Sequence, residues 1–273
     1  MKQDLYNKCM QIPTQYVEIN YKNSVYRFAY KIRRSHANKA TLIFLSGVGC
    51  TKECFDDAFN ADDLSKYPIL SFDFLGFGES DKPSNFPYTL EDHAAVTKLL
   101  IQALHLNKII LIGHSMGAGV GLLLAQELPG ITNFINVEGA LVSEDISGAA
   151  RSVIAQSEEA FVSSGFDTFK QSLIALGRKD LSVWASWLEV ADATALYRSM
   201  RSMATWPDSP RLLQYFNDLP KKSYIYGDER NKDYLLPRLT DTTVYRMDNC
   251  GHFMMIDNPT AFYKAIGSIT ELM

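Results

Sequence analysis

The chain has 273 residues, of which 47% are hydrophobic and 21% charged, and its 27 basic and 31 acidic side chains leave a formal charge of -4. That composition suits a globular chain with a full hydrophobic core and excludes collagen-like or disordered sequence. No block of lysine or arginine could follow a phosphate backbone, so nucleic acid is not an expected partner.

The N-terminal stretch MKQDLYNKCMQIPTQYVEIN lacks the apolar segment of an export signal, and no apolar run reaches the length of a bilayer span. Cys9, Cys50, Cys54 and Cys250 are too few and too irregular for a disulfide scaffold. Together these features lead us to expect a cytoplasmic protein.

TQYVEIN (14–20) and SVYRFAYKIR (24–33) alternate as half-buried antiparallel strands do. ATLIFLS (40–46), PILSFDF (68–74), KIILIG (108–113) and ITNFINVEG (131–139) are almost continuously apolar, the mark of parallel strands covered on both faces. Helical segments fall between them at Thr89–Leu104, where Thr89 and Asp92 have capping-box spacing, and at Met116–Leu128. Alternating strands and helices predict an α/β fold with a mostly parallel, doubly wound central sheet.

From Ala140 to about Pro207 the pattern is helical only, with Trp184, Trp187, Met200, Met203 and Trp206 at helical spacings. Strands resume at KKSYIYG (221–227) and TTVYRM (242–247), and a last helix is expected from about Pro259 to Leu272. The reading is a core domain of residues 1–139 and 208–273, interrupted by a helical cap of residues 140–207.

GHSMG (113–117) falls where a buried strand gives way to a buried helix, the context of a nucleophile elbow. Glycines on either side let strand and helix pack closely around Ser115, and the helix start aims backbone N–H groups at developing negative charge. The N–H of Met116 is then an oxyanion donor. A serine hydroxyl needs a base. Of five histidines, His36 lies in a polar loop, His93 and His105 fall on a predicted helix, and His114 is inside the motif. His252 lies after the last strand, on the side where α/β sheets bind ligands, and is the expected base.

With SFDFLGFGESDKP (71–83), GHSMG, a helical insertion and CGHFMMIDNP (250–259), the chain resembles the α/β-hydrolase fold family over essentially its whole length. The resemblance implies a serine–histidine pair and says little of substrate. In many similar chains an aspartate stands three places past the glycine that ends KKSYIYG; here YGDERN puts Arg230 there. Some branches carry the acid directly after the strand that follows the elbow helix, where this chain has Glu138. A carboxylate ending so apolar a run is costly unless paired, and an imidazole N–H would pair it. Glu138 is therefore favoured, with Asp228, Asp145 and Asp233 as alternatives.

LSGVG (45–49) matches the stretch where similar hydrolases read His-Gly-x, with Ser46 in the histidine's place, so the second oxyanion donor is expected to be the N–H of Val48. The fold would bring Cys50, Cys54 and Cys250 near the site, but C-x3-C plus C-x-H matches no strong zinc pattern and would consume His252. No metal or cofactor is expected. The resulting expectation is a serine hydrolase acting on a small or medium, largely apolar ester through Ser115, His252 and Glu138. Related chemistry on the same fold (C–C bond hydrolase, lyase, peroxidase-like enzyme, aminopeptidase) and a non-catalytic binding protein stand as alternatives. The sequence leaves oligomeric state open.

Overall fold

The computed structural model describes residues 12–35, 38–206 and 211–271. Cys9, His36, the expected domain junction at Pro207 and the expected helix end at Leu272 lie outside these residues. Eight strands form one sheet in the order β1-β2-β4-β3-β5-β6-β7-β8. They are β1 (Gln15–Tyr21), β2 (Ser24–Arg33), β3 (Thr41–Leu45), β4 (Ile69–Phe72), β5 (Ile109–His114), β6 (Ile131–Val137), β7 (Lys222–Gly227) and β8 (Thr243–Met247). β1 pairs antiparallel with β2, and β2 with β4. All other pairings are parallel.

Burial follows the two sequence patterns. Every residue of β3, β4 and β5 is buried, whereas β1 keeps only Ile19 fully inside. A strand with helices on both faces has no polar side, which is why those segments read as unbroken apolar runs.

Ten helices accompany the sheet among the described residues: α1 (Leu90–Ala103), α2 (Met116–Glu127), α3 (Gly148–Ile154), α4 (Glu158–Ala160), α5 (Phe166–Ala175), α6 (Lys179–Leu188), α7 (Ala193–Thr205), α8 (Arg211–Asp218), α9 (Met254–Asp257) and α10 (Pro259–Glu271). None is long and apolar enough to cross a membrane. Thr89 caps α1 as its spacing predicts: its Oγ1 accepts from Asp92 N at 3.1 Å and donates to Asp92 Oδ2 at 2.7 Å. His105, expected on that helix, lies beyond it. The helix ends at Ala103, and His105 takes a left-handed φ of 56° while its N–H closes a turn onto Gln102 O, because the chain must reverse here to enter β5.

The helices α3 to α7 between β6 and α8 are tied to the sheet domain at several points. Trp184 Nε1 donates to Val48 O at 3.0 Å, Asp192 N to Gly76 O at 2.8 Å, and Leu90 N to Ser202 Oγ at 3.0 Å. An ion cluster with the buried Lys52–Asp73 pair at its centre joins the loop after β3 to the loop after β4. Lys52, 1% exposed, meets Asp73 at 3.1 Å and Glu79 at 2.5 Å. The carboxyl ends of β3, β5, β6, β7 and β8 thus open on one edge of the sheet.

Candidate active site

Ser115 sits between the last residue of β5 and the first of α2, with φ 51° and ψ −116°. A left-handed serine is strained by about 1–3 kcal/mol and persists only where its surroundings over-determine it. Here its N–H is held by Val137 O of β6 and its C=O by Ala118 N, each at 3.0 Å. The flanking glycines are required sterically. A Cβ on Gly113 would lie 2.6 Å from Ala118 Cα, and one on Gly117 would run into the carbonyls of Leu45 and Ser46. Any side chain at either position would push α2 off the sheet.

Glu138 follows β6, beside β5, and is likewise left-handed at φ 50°. Its N–H donates to Ile225 O of β7, and its buried carboxylate is closed in by donors. Oε1 accepts from Gly227 N at 3.0 Å and Oε2 from His252 Nδ1 at 3.0 Å. Arg230 Nε stands 3.4 Å from the same Oε2. Burial works to raise the Glu138 pKa, but the His252 hydrogen bond and the positive charges of Lys232 and Arg230 outweigh it and hold the group below the ordinary carboxylate range. An ionised carboxylate can only accept, so Nδ1 of His252 carries the proton and Nε2 is left as the basic nitrogen.

The loop that delivers His252 is pinned on both sides. Gly251 N donates to Asp257 Oδ2 at 2.9 Å, and His114 Nε2 donates to the backbone carbonyl of His252 at 2.9 Å. The two rings pack with centroids 4.7 Å apart. Burial first, and the neighbouring His252 second, lower the His114 pKa to about 3, so this ring stays neutral.

Ser115 and His252 line one cavity of about 220 Å³. Gly47 and Val48 border it from the loop after β3, and Trp184, Met200 and Met203 cover it from α6 and α7. Trp184 also fixes Val48 through its carbonyl. Met116 is fully buried at the start of α2, one residue past Ser115.

The model of the alpha/beta hydrolase family matches residues 42–265. The chain belongs to the alpha/beta hydrolase family. A Mycoplasma genitalium protein named as a candidate esterase/lipase is 31% identical over 107 residues, covering 39% of this chain and 38% of that protein. The chain thus spans well under half the length of that curated relative. Among solved structures, an esterase from Thermogutta terrifontis superimposes with a TM-score of 0.78, covering 94% of this chain and 98% of its own. An esterase from Exiguobacterium antarcticum gives 0.76, covering 94% and 100%. Both are 16% identical, a likeness of fold.

In this alpha/beta hydrolase the alternative acids are engaged elsewhere. Asp228 accepts from Cys250 N at 3.1 Å and faces Arg246. Asp145 is held by Lys232 and Tyr234, each at 2.7 Å. Asp233 is exposed. Of the three cysteines expected nearby, only Cys50 borders the cavity. Burial raises its thiol well above the usual value, and burial pushes Cys250 up to about 11, so neither is an activated thiolate. Trp187 and Trp206 are half-buried and do not line the cavity; Trp184, Met200 and Met203 do. Sequence reasoning gave no role to His114 or Arg230. The first was hidden inside the elbow motif, and the second was visible only as the wrong residue in an acid's usual place.

Proposed function

We propose that this protein is a cofactor-independent serine hydrolase that cleaves a small, largely apolar ester or related acyl compound. The observation that carries the reading is the 3.0 Å bond from His252 Nδ1 to Glu138, with His252 and Ser115 on one cavity. Ser115 Oγ attacks the scissile carbonyl and His252 Nε2 takes its proton. Glu138 holds the tautomer and stabilises the imidazolium. The N–H groups of Val48 and Met116 receive the oxyanion. Collapse expels the alcohol with the proton from His252 and leaves an acyl-serine. Water, losing its proton to the same nitrogen, then releases the acid.

A cavity of about 220 Å³ beside Ser115 and His252 supports a small or medium acyl part. Residues 140–207 form the cap in this reading, and residues 1–139 and 208–273 the catalytic core. The two esterases of the same fold are consistent with ester hydrolysis.

The test is intact mass after treatment with a fluorophosphonate probe, with wild type beside Ser115→Ala. One adduct on wild type and none on the variant is expected. No adduct on folded wild type, together with no turnover of short-chain esters, would refute the reading.

A further inference from the structure

Arg230 is the one permanently charged side chain among the described residues that line the 220 Å³ cavity of Ser115 and His252, and it also borders a small space of about 20 Å³ shared with Glu138, Asp145 and Lys232. Much of the remaining lining is small or apolar, including Ala149, Ala150, Leu181 and Met203, with Ser147 and the two histidines as polar members. The side chain is 38% exposed, and its Nε stands 3.4 Å from the buried Glu138 carboxylate. Lys232, the nearby second cation, is spent on Asp145 at 2.7 Å. A guanidinium has five N–H donors in a planar fork. Engaging Glu138 through Nε leaves the terminal nitrogens, which make the bidentate contact to carboxylates. A guanidinium is more weakly hydrated than an ammonium, so a ligand carboxylate loses less in displacing its water.

Building on the hydrolase reading, we propose that Arg230 selects esters that carry a carboxylate within a few carbon atoms of the scissile carbonyl. The Arg230 terminal N–H groups take the carboxylate while the ester carbonyl lies at Ser115. Glu138 and the substrate then share one cation from opposite edges.

Two pairs of near-isosteric esters test this, followed by pH-stat: monoethyl glutarate beside ethyl 5-methylhexanoate, and O-butyryl glycolate beside isobutyl butyrate. In each pair a carboxylate replaces an isopropyl group, on the acyl side in the first and on the alcohol side in the second. Wild type is expected to favour the anionic member of at least one pair by about 10- to 100-fold in kcat/KM, the range of a charged hydrogen-bonded contact. Arg230→Gln should bring that ratio close to one, with a smaller common loss on both esters through Glu138. Arg230→Lys, which keeps the charge without the fork, should retain part of the preference.

A wild type that favours the neutral ester in both pairs overturns the proposal. So does an equal loss on both members in Arg230→Gln, which would mark Arg230 as a support for Glu138 alone. Calorimetric titration with glutarate separates this idea from the hydrolase reading. If no ester is cleaved and Ser115 is not labelled, glutarate binding that is lost in Arg230→Gln still upholds the anion site, and no binding to wild type overturns it.

Discussion

Glu138 and His252 are 114 residues apart in sequence, and Oε2 of one lies 3.0 Å from Nδ1 of the other. Replacing the carboxylate by an amide keeps the shape but no longer fixes the proton on Nδ1. Glu138→Gln should lower kcat by about ten-thousandfold with little change in KM, as loss of a triad acid does. Asp228→Asn, whose parent carboxylate caps Cys250 N, should leave kcat of the same order as wild type. Steady-state kinetics on a short-chain nitrophenyl ester compare the two. A collapse in Asp228→Asn with a mild effect in Glu138→Gln would move the acid.

His114→Phe keeps a ring beneath His252 and removes the donor to its carbonyl. Leaving that carbonyl unpaired costs about 1–3 kcal/mol, borne by the loop that aims the base. Turnover should fall by about ten- to a hundredfold, in line with slight misplacement of a catalytic group. Unchanged kcat in a folded variant would show that the loop is positioned by Asp257 alone.

Stability should fall with acid through two interior histidines. His93 and His114 are both buried, and burial lowers each pKa to about 3. The unfolded chain protonates the same rings below about pH 6.5, so between about pH 6.5 and 3 the unfolded state binds up to two more protons. Protons then favour unfolding, with a limiting slope of about 2.7 kcal/mol per pH unit from these groups. Glu138, with its depressed pKa, adds stability that is present above the unfolded carboxylate value and lost as pH falls through its folded one. Urea titrations at pH 7.5, 6 and 5 measure the slope. His93→Gln should reduce it by about half, and a flat profile would contradict the burial argument.

Lys52→Met strands Asp73, which is fully buried and also receives the Lys52 and Glu79 backbone N–H groups. Removing one partner of a buried pair costs about 3–5 kcal/mol. Denaturant unfolding should register that loss, and a change below about 1 kcal/mol, the scale of an exposed pair, would show that water screens the cluster.

What could be read from sequence follows physical range. The fully buried strands and the elbow were legible because their causes are local: unbroken apolar runs for β3 to β5, and a strand–Gly-x-Ser-x-Gly–helix junction at Ser115. Glu138 was suggested by the family resemblance together with the cost of leaving unpaired a charge that ends an apolar run. The His114 hydrogen bond joins residues 138 apart, and no local pattern encodes it. The Lys52 ion pairs likewise follow no local pattern, because two of the carboxylates, Asp73 and Glu79, arrive from another strand's loop. Trp184, Trp187 and Trp206 share a residue type and helical surroundings, and only packing distinguishes the one over the cavity.

Ser115 and Glu138 follow neighbouring strands and are fixed by backbone bonds to Val137 and Ile225 at the ends of buried strands. His252 alone arrives on a loop, held by a few single contacts. Local openings start where such contacts are sparse. On warming, the imidazole should therefore drift out of line while the sheet is still intact. Heat would then silence this protein in two stages, first by reversible loss of alignment and only later by melting.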